Sequence, residues 1–236
     1  MRLRENILCI IILLLTACSP EYILQSYDND VIGVQNKIDS NIVEIIKPYK
    51  YKILEQMDEV LTYTKSDLEK GKPQSTIGNF VTDLCLNYAQ AHICVMNNGG
   101  LRTTINKGNI NRRKLYELMP FENELVILEL EKDDYIGLLN YIVRRGGEPF
   151  SGITITIDQN HKILSNSWPV DFENGEKVKV LTSDYLANGG DSMVFFKGKK
   201  QHKVGIKLRD AIIEYCEKKD TIDVQLDNRI TIIKNE

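Results

Sequence analysis

Residues 79–102 read NFVTDLCLNYAQAHICVMNNGGLR, and this stretch sets the fold class. Phe80, Val81, Leu84, Cys85 and Tyr88 recur at helical spacing, so Asn79 to His92 is expected to form an amphipathic helix. Ile93 to Met96 is a short continuous apolar run, expected as a buried strand, and it breaks at Asn97-Asn98-Gly99-Gly100. A helix feeding a buried strand that ends in a glycine turn is a place where ligands bind.

Working outward, Ile38, Ile42, Ile45 and Ile46 predict a helix that Pro48 stops, and Val60 to Tyr63 a strand. Arg112 to Met119 predicts a short helix closed by Pro120, and Val126 to Leu130 a strand. Lys132 to Arg145 predicts a helix with Tyr135, Ile136, Leu139 and Ile142 inward, ending at Gly146-Gly147 as a glycine C-cap. Gly152 to Ile157 and Val178 to Leu181 alternate β-branched residues and predict two strands, with Asn174-Gly175 as a turn between them. Lys207 to Cys216 predicts a closing helix and Arg229 to Ile233 a last strand. Helices and short strands alternate without regular βαβ spacing, so the fold class is α+β.

The 236 residues suit one large domain, and 42% hydrophobic with 27% charged residues is ordinary for a packed globular body. A net charge of −3 argues against general binding of nucleic-acid polymers, which rests on a basic face. Small phosphorylated ligands stay open. At the N-terminus, Met1 to Asn6 is short and basic, and Ile7 to Leu15 is apolar but too short to span a bilayer. Leu15-Thr16-Ala17-Cys18 resembles the lipobox of bacterial lipoproteins, which implies cleavage before Cys18 and lipid on its thiol; an ordinary signal peptide cut after Ala17 is the other reading. On the first reading, residues 1–17 are a signal, 18–36 a tether and 37–236 the domain, held at the cell envelope as a membrane-anchored lipoprotein in the periplasm or on the outer surface. Cys85, Cys94 and Cys216 remain, enough for one disulfide at most, and their apolar settings suit small buried hydrophobes.

Two segments carry candidate chemistry. Asn97-Asn98-Gly99-Gly100-Leu101-Arg102 and Asp184-Tyr185-Leu186-Ala187-Asn188-Gly189-Gly190-Asp191 each pair glycines with hydrogen-bonding side chains, and glycine lets a ligand reach the main chain. Arg102 offers a fork of donors for a phosphate or a ring nitrogen. Asp191 can accept from sugar hydroxyls. In Met119-Pro120-Phe121-Glu122-Asn123 the proline sets Phe121 outside any periodic stripe, so Phe121 and Tyr185 could sandwich a flat ring. Such a contact is worth roughly 1–3 kcal/mol per base. Taken singly, these segments also read as tight turns with solvated polar residues, and the aromatics as core.

Together with Gly78-Asn79-Phe80-Val81-Thr82-Asp83, these motifs resemble the C-terminal domain of the 5'-nucleotidase and UDP-sugar hydrolase family, in order and spacing. The resemblance implies layered helices and mixed sheets. It implies that Phe121 and Tyr185 stack a base, Tyr185 standing where the family often has phenylalanine. Asp191 would hold the ribose hydroxyls, Asn97 the base, and Arg102 the phosphate or sugar end, with Gly99, Gly100, Asn188 and Gly190 shaping the site. Asn98 departs from the family's glycine. Lys70 and Lys72 are candidates for a basic residue that often precedes the Gly-Asn motif, or a solvated lysine pair.

In the family a separate metallophosphatase domain supplies two metal ions about 3.5–4 Å apart. Here His92, His161 and His202 are scattered, and no Asp-x-His or Gly-Asn-His-Glu segment occurs. No metal or other cofactor is therefore expected in this chain, and no catalytic residue; divalent metals are expected in a partner chain. The first reading is the nucleotide-binding half of a split 5'-nucleotidase, a hydrolase of nucleotide catabolism that is inactive without a metallophosphatase partner. The others are a non-catalytic nucleoside- or nucleotide-binding lipoprotein and a scaffold module.

Overall fold

A computed structural model describes residues 39–233. The lipobox, Cys18, the tether and Ile38 lie outside these residues. The chain divides into two units, one through Ile45 and one from Ile46 onward. Helix α1, Ser40–Asp58, begins in the first and continues into the second, and none of its residues is buried. It contains Pro48, which sequence reading placed at its end. A proline there removes one main-chain donor and disfavours the helix locally, but it did not end this one.

In the second unit the order is β1 Val60–Thr64, α2 Thr76–Leu86, β2 Ile93–Val95, β3 Gly108–Asn111, α3 Arg112–Leu118 and β4 Glu124–Leu130. There follow α4 Lys132–Arg144, β5 Phe150–Ser151, β6 Ile155–Asp158, β7 Ile163–Asn166, β8 Val178–Ser183 and α5 Asp184–Ala187. The unit closes with β9 His202–Lys207, α6 Leu208–Glu217, β10 Thr221–Ile222 and β11 Ile230–Ile233. Among the described residues no helix is long and apolar enough to cross a membrane.

Helix α2 starts three residues before the predicted Asn79, because Ser75 caps it by accepting from the Gly78 N–H at 3.0 Å. It ends at Leu86 and not His92, with Asn87 as C-cap. Of the predicted strand Gly152–Ile157 only the part from Ile155 is a strand, β6, while the unpredicted β5 just before it belongs to another sheet. Gly152 turns the chain at φ 93° beneath the His92 carbonyl, where a Cβ would stand 2.1 Å from that oxygen. In α4 the buried face is Tyr135, Leu138, Leu139, Tyr141, Ile142 and Val143, whereas Ile136 is exposed.

The central sheet has strand order β5-β2-β8-β4-β9 and is mixed, with β2 parallel to β8 and the other neighbours antiparallel. Its alternation separates two cores. Cys94, Leu125 and Leu181 face one, with Phe80, Leu84, Ile212 and Cys216 of α2 and α6. Ile93, Val95, Val126, Leu128 and Val180 face the other, with Tyr135, Leu139 and Ile142 of α4. A three-stranded sheet, β10-β1-β3, and another, β11-β6-β7, complete the unit. This is the α+β arrangement of layered helices and mixed sheets. Cys85, Cys94 and Cys216 are buried free thiols, so no disulfide joins them.

Candidate functional site

Because β2 and β8 run parallel, Ile93 against Val180 and Cys94 against Leu181, their C-terminal ends open on the same edge of the central sheet. The edge beyond the carboxyl ends of parallel strands is a recurrent ligand position. Strand β4 runs antiparallel to β8, with Leu125 opposite Ser183, so its beginning lies on that edge as well. Three connections meet there: the Asn97–Gly100 turn after β2, the loop before β4, and α5 with the glycine turn after β8. They enclose a cleft of about 560 Å³ lined by Asn97, Gly99, Gly100, Arg102, Phe121, Glu122, Asn123, Tyr185 and Asp191. Small-molecule sites commonly hold about 300–1,000 Å³.

Phe121 and Tyr185 are 42% and 47% exposed, and no ring–ring pair among the described residues involves either. Both therefore offer free ring surface to the cleft. The Phe121 loop is fixed from below by Arg209, a buried side chain whose guanidinium donates to the Phe121 carbonyl at 3.4 Å and pairs with Glu122. That guanidinium also lies 4.2 Å from the Tyr116 ring centre. Glu122 is held by Lys207 as well, and hydrogen bonds from Lys207 and Arg209 lower its carboxyl to a pKa of about 2. The next residue, Asn123, donates to Asp184 Oδ1 at 2.9 Å, which joins this loop to α5.

Tyr185 rests on Gly190. A Cβ at that glycine would stand 2.6 Å from the tyrosine ring and from its main-chain oxygen, so only glycine leaves room. Asp191 follows in the left-handed region at φ 50°. Two tyrosine hydroxyls hold its backbone: Tyr141 donates to the Asp191 carbonyl at 2.8 Å, and Tyr185 accepts from the Asp191 N–H at 3.2 Å. Burial raises the Tyr141 pKa, so this hydroxyl keeps its proton at neutral pH. The carboxylate of Asp191 accepts from Asn97 Nδ2 through Oδ2 and from the Tyr185 hydroxyl through Oδ1 at 3.5 Å. A carboxylate has about four acceptor positions, so two remain for a ligand.

Arg102 is exposed and donates to the Gly99 carbonyl at 3.1 Å, leaving the rest of its guanidinium free in the cleft. Gly100 closes the turn by donating to the Asn97 carbonyl at 3.0 Å. A side chain at Gly100 would meet Asn97 Oδ1 at 2.7 Å.

Seven of the nine residues singled out from sequence thus line one cleft. Asn188 does not: its side chain donates to the Asp184 carbonyl at 2.8 Å and accepts from Gln201 at 2.9 Å. Gly190 acts from beneath Tyr185 and not on the cleft wall. Lys70 and Lys72 are also away from it, donating to the Leu101 carbonyl at 2.7 Å and to the Arg145 carbonyl respectively. Asn98 ties the turn to the residues after α4, its N–H donating to Glu148 at 2.6 Å and its amide to the Gly147 carbonyl at 2.9 Å. Sequence reading missed Glu122 and Asn123 as lining residues, although both stand in the segment that drew attention to Phe121. It had no signal for Tyr141 or Arg209, which reach the site from helices remote in the chain.

Among the described residues no group of three or more His, Cys, Asp or Glu side chains could hold a metal ion. The donors of the cleft itself, one carboxylate engaged by Asn97 and Tyr185 and one paired with Lys207 and Arg209, do not fit a divalent-metal centre.

A family model described as the C-terminal domain of 5'-nucleotidase matches residues 57–198. An apyrase of Tabanus yao is 27% identical over 231 residues, covering 82% of this chain and 41% of the apyrase. A 5'-nucleotidase of Vibrio vulnificus is 25% identical over 205 residues, covering 80% of this chain and 36% of that protein. The 5'-nucleotidase precursor of Thermus thermophilus shares the fold, with a TM-score of 0.68 at 23% identity over 83% of this chain and 43% of that one. The chain spans less than half the length of each of these proteins.

Proposed function

The chain belongs to the 5'-nucleotidase C-terminal domain family, and from that premise we propose that it is the nucleotide-gripping half of a split 5'-nucleotidase. The observation that carries this reading is the convergence of Asn97, Arg102, Phe121, Tyr185 and Asp191 on one cleft at the edge of the central sheet. In this reading the base lies between the Phe121 and Tyr185 rings. Asp191 accepts from the ribose hydroxyls, Asn97 faces the base, and Arg102 draws the phosphate end by charge and a fork of donors. Gly99 and Gly100 let the ligand approach the main chain. Lipid on Cys18 would keep the grip at the cell envelope.

The chain's own part is to bind and orient. Holding a substrate in a reactive geometry is itself a large share of catalysis, so a binding half can govern rate without supplying a reacting group. Among the described residues none fit the metal ions of the hydrolytic step, and in this reading that step falls to a separate metallophosphatase polypeptide. The test is to mix the full chain with a separately expressed metallophosphatase domain of this family and AMP. Phosphate release should exceed the sum of the two alone, and the gain should fall when Arg102→Ala replaces the parent. No gain at any ratio contradicts the split enzyme. Nucleotide binding without a gain leaves a capture protein instead.

A further inference from the structure

Tyr185 does two things at once. Its ring walls the cleft, and its hydroxyl accepts the Asp191 N–H at 3.2 Å while lying 3.5 Å from Asp191 Oδ1. A phenylalanine ring in this place would stack as well and make neither contact. The hydroxyl therefore has an effect separate from stacking, and it falls on the acid of the cleft that no cation pairs with, since the other, Glu122, is paired with Lys207 and Arg209.

The setting of Asp191 makes that effect specific. A non-glycine residue in the left-handed region is uncommon and persists where its surroundings hold it. Here Asp191 at φ 50° and Ser192 at φ 65° are consecutive, and the Asp191 peptide groups are pinned on both sides by tyrosine hydroxyls, Tyr141 on the carbonyl and Tyr185 on the N–H. Tyr141 is fixed in α4 and buried. Tyr185 is the exposed member of the pair and belongs to the ligand wall. Asn97 holds Oδ2. The Tyr185 hydroxyl holds the Asp191 N–H at 3.2 Å and stands 3.5 Å from Oδ1, so it steadies the turn that presents the carboxylate, while Asn97 holds the carboxylate itself.

We propose that Tyr185 is a positioning residue for sugar recognition: its hydroxyl steadies the turn that presents the Asp191 carboxylate so that the cleft selects ligands carrying a vicinal ribose diol, while its ring stacks the base. This rests on the nucleoside reading of the cleft and goes beyond it by assigning the ribose preference to one hydroxyl. The logic is that of a binding site built around a polar group, which discriminates against the ligand lacking the matching hydroxyls because the site's own groups are left unpaired.

The experiment compares adenosine with 2',3'-dideoxyadenosine on the full chain by calorimetry, for the parent and for Tyr185→Phe. The ratio of the two affinities should favour adenosine in the parent and fall by about 3- to 10-fold in the variant, the range of one net hydrogen bond. In the Asp191→Ala background, which has no side-chain acceptor, the same Tyr185→Phe change should move the ratio by less than about twofold, because the hydroxyl acts through that carboxylate. Amide hydrogen exchange gives a ligand-free reading: the Asp191 N–H should exchange at least about tenfold faster in Tyr185→Phe. An unchanged ratio, or an equal change in the Asp191→Ala background, overturns the positioning role while leaving nucleoside binding intact. Binding of neither ligand to the parent removes the nucleoside reading itself, and this inference with it.

Discussion

Asn123 donates to the carboxylate of Asp184 at 2.9 Å, and this bond joins the loop that carries Phe121 to the helix that carries Tyr185. The same Asp184 oxygen accepts the Tyr185 N–H at 2.8 Å, so one carboxylate oxygen spaces the two rings. Replacing Asn123 with alanine should cost about 1 kcal/mol of stability, the worth of one such bond. Because the lost bond spans the cleft, nucleoside affinity should fall several-fold while urea unfolding shifts only slightly. Equal affinity in Asn123→Ala would show that the spacing is set elsewhere.

Gly190 supports Tyr185 by having no side chain. Gly190→Ala places a methyl 2.6 Å from the ring and from main-chain oxygen, so the ring or the turn must move. Overpacking of this kind costs about 1–3 kcal/mol. Gly175, at φ 76° with nothing within 4 Å, is the comparison: alanine there meets only backbone strain of about 1 kcal/mol. Thermal unfolding should rank the two in that order, and only Gly190→Ala should weaken ligand binding.

Glu122 sets an acid-side pH dependence. Its carboxyl is lowered from 4.5 to about 2 by hydrogen bonds from Lys207 and Arg209. A carboxylate depressed on folding stabilises the native state fully above its unfolded pKa, and that contribution is lost as pH falls toward the folded value. Stability should therefore decline between about pH 4.5 and pH 2, and Glu122→Gln should flatten that part of the curve. Carboxyl chemical shifts of Glu122 followed by NMR should give a midpoint near the lower end; an ordinary midpoint would remove the pairing.

Arg229 binds the end of the chain to the body. Its buried guanidinium donates to Asp83 at 2.6 Å, to Asp227 at 2.9 Å and to the Phe150 carbonyl at 2.6 Å. Removing it leaves that carbonyl and part of the acid pair without a donor. Arg229→Met should cost about 3–5 kcal/mol in denaturant unfolding. A loss under about 1 kcal/mol would mean that water replaces the guanidinium at these acceptors.

Sequence and structure agree best where a local pattern decides the outcome. Phe80, Val81, Leu84 and Cys85 share one face of α2, and the Ile93-Cys94-Val95 run is a buried strand. Strands β3, β5, β7, β9 and β10 escaped notice because their partners define them. The Gly108-Asn109-Ile110-Asn111 segment is polar and becomes a strand by pairing with β1. Strand β9 contains Gly205 at φ 88° and joins the sheet through a register shift on β4.

At the cleft, the glycine pairs and flanking polar residues were legible as candidates. Their meeting was expected from the two aromatics and from the family resemblance, not from any local pattern, because it follows from the parallel pairing of β2 with β8, a contact across more than eighty residues of chain. Asn188 shows the converse. It sits in the same motif as Asp191, yet its side chain bonds to Asp184 and Gln201, away from the cleft.

The central claim is that Phe121 and Tyr185 grip a nucleoside base. Thermal unfolding of the full chain with adenosine tests it most directly. At about 100 times the dissociation constant the ligand should add about 2.7 kcal/mol, a rise in Tm of roughly 5–10 °C for a domain of this size. Phe121→Ala should reduce the affinity by roughly 5- to 150-fold, the range of one stacked ring, and the rise with it. Melting curves that stay flat across nucleosides and nucleotides, or a rise that survives Phe121→Ala undiminished, would contradict the account.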